Sequence, residues 1–239
     1  MYGYGFRNIS RSILAGGGGA IPSIWNGLQA YYTADSTPND ALGTYNGTLV
    51  NGATYGTGII NQGFSLDGVN DYVTVGNLFN VNGTEARTYT CWIKSNSVTG
   101  QGIILSSSSG SPYDGLTFFR ENNKIRFQLV SSSGQFLIFY STSTLLINTW
   151  YNVSITYDGS RLISGCKLYI NGVSDVLFSA SSNLTSSTLT LNTSTIGARS
   201  AGQFPFNGLI DEVSVFNRVL SPTEVTELYN SGLGKQYPN

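Results

Sequence analysis

From Trp25 onward, apolar and polar residues alternate in short runs separated by Gly, Ser, Asn and Asp. Residues 28–32 open the series. Residues 63–67 lead into 71–75, which alternates cleanly. In residues 88–94, Tyr89, Cys91 and Ile93 share one face. Further runs cover residues 102–105, 116–120, 124–130, 135–140, 150–157, 166–170, 188–196 and 208–216. Period-2 runs between turn signals predict half-buried strands, and a long series of them predicts an antiparallel β-sandwich. Asn171-Gly172, Asn46-Gly47 and Asp67-Gly68 are tight-turn pairs, since these residues tolerate positive φ.

One stretch changes period. Ser221-Pro222-Thr223-Glu224 reads as N-cap, proline at the first helical position and capping-box acid. Val225, Leu228 and Tyr229 then give one apolar face, and Gly232 or Gly234 marks the end. So short a helix needs a surface to pack on.

Residues 1–24 fit neither period. Tyr2, Tyr4 and Phe6 alternate with glycine, Arg7 and Arg11 follow, and then a run of four glycines. The segment is expected to be an arm that anchors on a partner, because chain ends fray unless tied down. It does not read as a secretory signal, since the apolar stretch after Arg11 dissolves into glycine. The six Asn-x-Ser/Thr sequons are read as products of composition.

Composition narrows the chemistry. Only 10% of the 239 residues are charged, while Gly, Ser, Thr and Asn make up 105 of them. The chain has no His, which removes imidazole bases and histidine metal ligands. Two Cys cannot build a zinc site or a disulfide framework, and Cys91 and Cys166 are expected to face the core. A net charge of −1 lacks the basic footprint of a nucleic-acid binder. No apolar run is long enough to span a membrane.

Five segments, in order, carry a family resemblance. They are Gly27-Leu28-Gln29-Ala30-Tyr31-Tyr32 with its Asp35 to Thr48 loop; Phe64-Ser65-Leu66-Asp67-Gly68-Val69-Asn70-Asp71-Tyr72-Val73; and Tyr89-Thr90-Cys91-Trp92-Ile93-Lys94. Trp150 to Val153 with Thr156 to Gly159 and Leu168-Tyr169-Ile170-Asn171-Gly172 come next. Phe206 to Val213 with Asn217 to Ser221 closes the series. Over about residues 25–233 the chain resembles the LamG-like jelly-roll family of the concanavalin A-like lectin/glucanase fold. The resemblance implies an all-β, two-sheet jelly roll with one short C-terminal helix.

It also implies candidate sites. A structural Ca²⁺ is expected at Asp35, Asn39, Asp40 and Asp211, although Thr37-Pro38 and Ala41-Leu42 depart from the usual loop. The competing reading gives these acids to Asx turns and backbone caps. Glycan-binding candidates are Tyr113, Asp114, Arg120, Asn122, Asn123, Tyr140, Arg199 and Phe204. Catalysis is not expected. Glucan-cleaving relatives place carboxylates at i, i+2 and i+4 on one strand face, whereas neighbours such as Asp211 and Glu212 point to opposite faces. The chain is therefore expected to be a non-enzymatic structural or decoration protein of an assembly such as a phage virion. Its arm would dock on other assembly proteins or copies of itself. The alternative is a secreted or cell-surface carbohydrate-binding module.

Overall fold

The computed structural model describes residues 23–97, 99–108 and 113–238. Residues 1–22, with the anchor candidates Tyr2, Tyr4, Phe6, Arg7 and Arg11, lie outside that set. The strands begin with β1 (Leu28–Tyr32), β2 (Thr48–Val50), β3 (Thr54–Thr57), β4 (Gln62–Asp67), β5 (Tyr72–Thr74) and β6 (Arg87–Ser95). Next come β7 (Gln101–Ser106), β8 (Gly115–Glu121), β9 (Lys124–Val130), β10 (Phe136–Ser141) and β11 (Trp150–Tyr157). The series ends with β12 (Cys166–Ile170), β13 (Val173–Asp175), β14 (Leu177–Ser182), β15 (Thr195–Ile196) and β16 (Asn207–Phe216), followed by the helix α1 (Pro222–Tyr229).

These strands form two antiparallel sheets. The first runs β13-β12-β11-β6-β16-β4-β3, with β1 also paired to β16. The second runs β14-β10-β9-β8-β7-β15-β5-β2. Alternation supplies the core between them: Tyr89, Cys91 and Ile93 of β6 and Val153 and Ile155 of β11 meet Phe118, Phe127 and Phe139. Phe127 and Phe139 stack at 5.4 Å. Cys91 and Cys166 are free thiols in this core.

The outer face of the first sheet carries a second apolar layer. Ile24, Trp25, Tyr31, Tyr169, Phe216, Leu220, Val225 and Leu228 pack together there. Helix α1 begins with the expected capping box between Ser221 and Glu224. Arg218 holds both of Glu224's oxygens, at 3.0 and 2.6 Å, and donates to the carbonyls of Asn26 and Ile24. One arginine thus ties the start of the chain's fold to its closing helix. The helix ends at Asn230 in the left-handed region (φ 48°) rather than at a glycine; asparagine tolerates that conformation.

Other expectations need correction. Of residues 188–196, only Thr195–Ile196 form a strand. Thr188 and Thr190 instead donate their hydroxyls to Val81 O, Asn80 Oδ1 and Ser107 O, so side-chain bonds replace a ladder. Asn171-Gly172 makes the tight turn between β12 and β13, with φ 52° and 74°. Asn46-Gly47 is no hairpin turn. Gly47 is required because a Cβ there would stand 2.4 Å from the Pro38 carbonyl.

Candidate functional site

The second sheet's outer face is open where the first sheet's is covered. Leu116 and Phe118 of β8, Ile125 and Phe127 of β9, and Leu137 and Phe139 of β10 point inward. Phe119, Arg126, Gln128 and Tyr140 therefore point outward. Strand register aligns Ile103, Phe119, Arg126, Tyr140 and Phe178 in one row across five strands. The Arg126 guanidinium lies 4.9 Å from the Phe119 ring centre and 5.5 Å from that of Tyr140. It donates to Glu121 Oε2 at 2.9 Å and to Gln128 Oε1 at 2.7 Å. Gln101 donates to the other Glu121 oxygen at 2.7 Å. Burial raises the Glu121 pKa, but the bonds from Gln101 and Arg126 outweigh it and hold the carboxyl below its ordinary range. Lys124 lies over the Phe178 ring at 5.5 Å.

A short turn forms one rim. Arg199 and Gln203 pair across it, and the Ile103 N–H donates to Phe204 O at 2.9 Å, which fastens it to β7. Arg199 is held between Tyr113 and Phe204, with ring centres 4.7 and 5.0 Å away. Tyr113 (φ 64°), Ala201 (φ 62°) and Phe204 (φ 51°) all occupy the left-handed region. Bulky residues rarely do so, and each such position costs about 1–3 kcal/mol and persists only where its surroundings impose it. Strained backbone therefore presents aromatic rings at this rim. Two depressions result. One, of about 250 Å³, is lined by Gln101, Tyr113, Phe119, Arg126, Gln128, Arg199 and Phe204. The other, of about 350 Å³, is lined by Glu121, Asn122, Lys124, Tyr140, Phe178 and Ser179.

Of the glycan-binding candidates, Tyr113, Arg199 and Phe204 meet in the first depression, and Asn122 and Tyr140 in the second. Asn122 and Asn123 form the left-handed turn between β8 and β9. Asp114 lines neither depression. Arg120 shares parity with Phe118, so it points between the sheets, is 2% exposed and donates to the carbonyls of Thr99 and Gly100. It does not reach the open face. Sequence reasoning missed Gln101, Phe119, Glu121, Lys124, Arg126, Gln128 and Phe178. A signal existed: in a chain whose polarity comes mainly from Ser, Thr and Asn, the outward positions of β8 and β9 include Phe119, Glu121, Lys124 and Arg126.

The calcium candidates are engaged otherwise. Both oxygens of Asp40 accept backbone N–H groups, from Tyr31, Leu42, Thr44 and Tyr45. Asp35 accepts from Gln62 N, Asn61 Nδ2 and Gln236 Nε2. Asp211 accepts from Ile59 N, Ile60 N and Glu212 N. Asn39 is exposed, and its N–H donates to Thr37 Oγ1. Donor hydrogens occupy most lone pairs of these carboxylates, all four of Asp40's among them, which makes the four residues a poor fit to a Ca²⁺ cage. Among the described residues no three His, Cys, Asp or Glu side chains gather as a metal cluster would require.

Asp211 and Glu212 also correct the alternation argument. A bulge in β16, with Glu212 at φ 51°, interrupts the pairing with β6 between Asp211 and Ser214. Asp211 lies opposite Trp92, and Glu212 lines a small cavity with Thr90, Trp92, Asn152 and Ser214, so both carboxyls fall on the outer face of the first sheet. Burial pushes Asp211 up to about 7 and Glu212 up to about 8. Among the described residues neither Glu212 oxygen makes a hydrogen bond of good geometry, although the Gln236 amide lies near enough to offset part of the rise. The cavity measures about 10 Å³ and lies beneath Leu228 and Lys235. It has room for one water and none for a substrate.

A sequence profile described as the concanavalin A-like lectin/glucanases superfamily matches residues 67–226. The chain belongs to that superfamily. No protein of curated function matches it. Three solved structures show the same fold in this superfamily member. The binding domain of Paraclostridial Mosquitocidal Protein 1 aligns with TM-score 0.69 and 16% identity, over 87% of this chain and 53% of its own. Domain 4 of AbnA, a GH43 extracellular arabinanase from Geobacillus stearothermophilus in complex with arabinotriose, gives 0.60 and 18%, over 87% and 98%. The ligand-binding domain of botulinum neurotoxin serotype D with N-acetylneuraminic acid gives 0.61 and 20%, over 85% and 50%. The chain thus spans about half the length of the toxin binding domains it matches. The shared fold is that of the concanavalin A-like lectins and glucanases.

Proposed function

We propose that this chain is a non-enzymatic carbohydrate-binding module whose ligand lies on the outer face of the second sheet. One observation carries the reading. Among the described residues, the exposed aromatic side chains are Tyr113, Phe178 and Phe204, and all three stand on this face or its rim. Sugars are recognised by aromatic surface beside a few fixed hydrogen-bonding groups. Gln101, Asn122 and Gln128 supply such groups in the two depressions. A larger depression of about 680 Å³ beside α1, lined by residues such as Thr223, Thr226 and Asn230, has no aromatic ring and is a poorer candidate.

The comparisons support the same reading, since one neighbour is a domain in complex with arabinotriose and another with N-acetylneuraminic acid. They favour it over the virion role, which rested on residues outside the described set. Work outside the cell fits too, as that arabinanase is extracellular. Among the described residues no helix is long and apolar enough to cross a membrane. A glycan array probed with the full chain tests the proposal. Binding to a defined set of sugars, weakened in Tyr140→Ala, is expected; a blank array contradicts it.

A further inference from the structure

We propose that the sugar held on this face is acidic, and that its carboxylate seats on the guanidinium of Arg199. The inference rests on the carbohydrate-binding reading above and narrows the ligand class. Arg199 is only 3% exposed, yet it lines the 250 Å³ depression. Tyr113 and Phe204 cover the guanidinium, and its Nε is buried without an acceptor. Its side chain makes no hydrogen bond or ion pair with any described residue. Five N–H donors thus remain unspent on the described residues. A buried cation without a counter-ion is costly, and the nearby charge of Arg126 adds repulsion.

Arg126 shows the alternative within the same depression. It too lies between two aromatic rings, but Glu121 supplies its carboxylate at 2.9 Å. Among the described residues no acid lines the depression beside Arg199. A ligand carboxylate would supply that missing partner. Its two oxygens lie in the plane that the guanidinium fork presents, and the flanking rings fix that plane. The volume falls below the about 300–1,000 Å³ typical of drug-sized ligands, which suits one sugar ring rather than a larger group. Gln101 Oε1 and Gln128 Nε2 are left for that ring's hydroxyls.

The test is an array of oligosaccharides in neutral, carboxylated and sulfated forms, probed with the full chain at low and high salt. Carboxylated spots are expected to dominate and to dim with salt. Arg199→Gln should weaken them about 10- to 100-fold, the range for a hydrogen bond to a charged group. Arg199→Lys, which keeps the charge and loses the fork, should fall between; it also serves if the glutamine variant does not fold. Equal binding of neutral and carboxylated spots overturns the acidic ligand and leaves the carbohydrate-binding reading standing. Sulfated spots alone overturn the carboxylate. A blank array overturns both.

Discussion

The outer faces of the two sheets solve one problem in opposite ways. Each sheet buries one face in the common core and must do something with the other. The first sheet hides its outer face under α1 and the Trp25 layer, and there it keeps a buried Glu212 with no cation paired to it among the described residues. The second sheet leaves its outer face open and sets arginines among aromatic rings. In a chain with 12 basic residues, three of them, Lys124, Arg126 and Arg199, fall on that open face or its rim. The covered face spends its side chains on cohesion. The open face holds charge and exposed rings, which contribute little to cohesion and are suited to a ligand.

That contrast can be broken deliberately. Trp25 touches Tyr31, Phe216 and Tyr237 with ring centres 5.5–6.2 Å away. Trp25→Ala should cost about 3–5 kcal/mol in urea unfolding, while the folded fraction keeps its sugar affinity. Arg218→Ala cuts the clasp between Ile24, Asn26 and Glu224, and should cost about 1.5–3 kcal/mol. Parallel loss of binding in either variant would show that the two faces are not independent.

The covered face also sets a pH dependence. Burial lifts Glu212 from 4.5 to about 8, and nearby Gln236 offsets part of that rise. Lys235 is the charged group at the cavity, and it pairs with Glu227. Between these two values the unfolded chain has lost a proton that the folded protein keeps. Stability therefore falls as pH rises from about 4.5 to about 8, by up to about 1.4 kcal/mol per unit, and is level outside that window. Asp211, raised from 3.8 to about 7, acts in the same direction. Unfolding at about pH 5 and about pH 8 measures the fall, and Glu212→Gln should make it shallower, leaving the share that Asp211 sets below about pH 7. The smallest effect on stability belongs to the open face. Phe178→Ala, at a residue 56% exposed, should change folding by no more than about 0.5 kcal/mol. It should weaken sugar binding about 2- to 10-fold.

Period and turn chemistry made the sandwich and α1 legible in the sequence. The strands of the core alternate, and Ser221 to Glu224 form a local cap that needs no tertiary knowledge. The short edge strands β2, β3 and β13 were not legible, because three or four residues give no readable period, and in the six-residue edge strand β14 apolar Leu177 and Phe178 stand side by side instead of alternating. The bulge at Glu212 was hidden for a related reason, since positive φ at a glutamate is imposed by the surrounding sheet. The site was legible only in part. Tyr113, Arg199 and Phe204 lie in loops rich in turn residues and stand out there. Phe119 and Arg126 sit inside strands, and only cross-strand register brings them opposite each other. Register is a long-range property that no local window contains.

An NMR titration of the full chain with a bound oligosaccharide tests the central claim most directly. The account predicts that shifted amides cluster at Gln101, Phe119, Arg126, Gln128, Tyr140 and Arg199, on the outer face of the second sheet. Shifts gathered around Asp35 and Asp40, or along the groove beside α1, would contradict it.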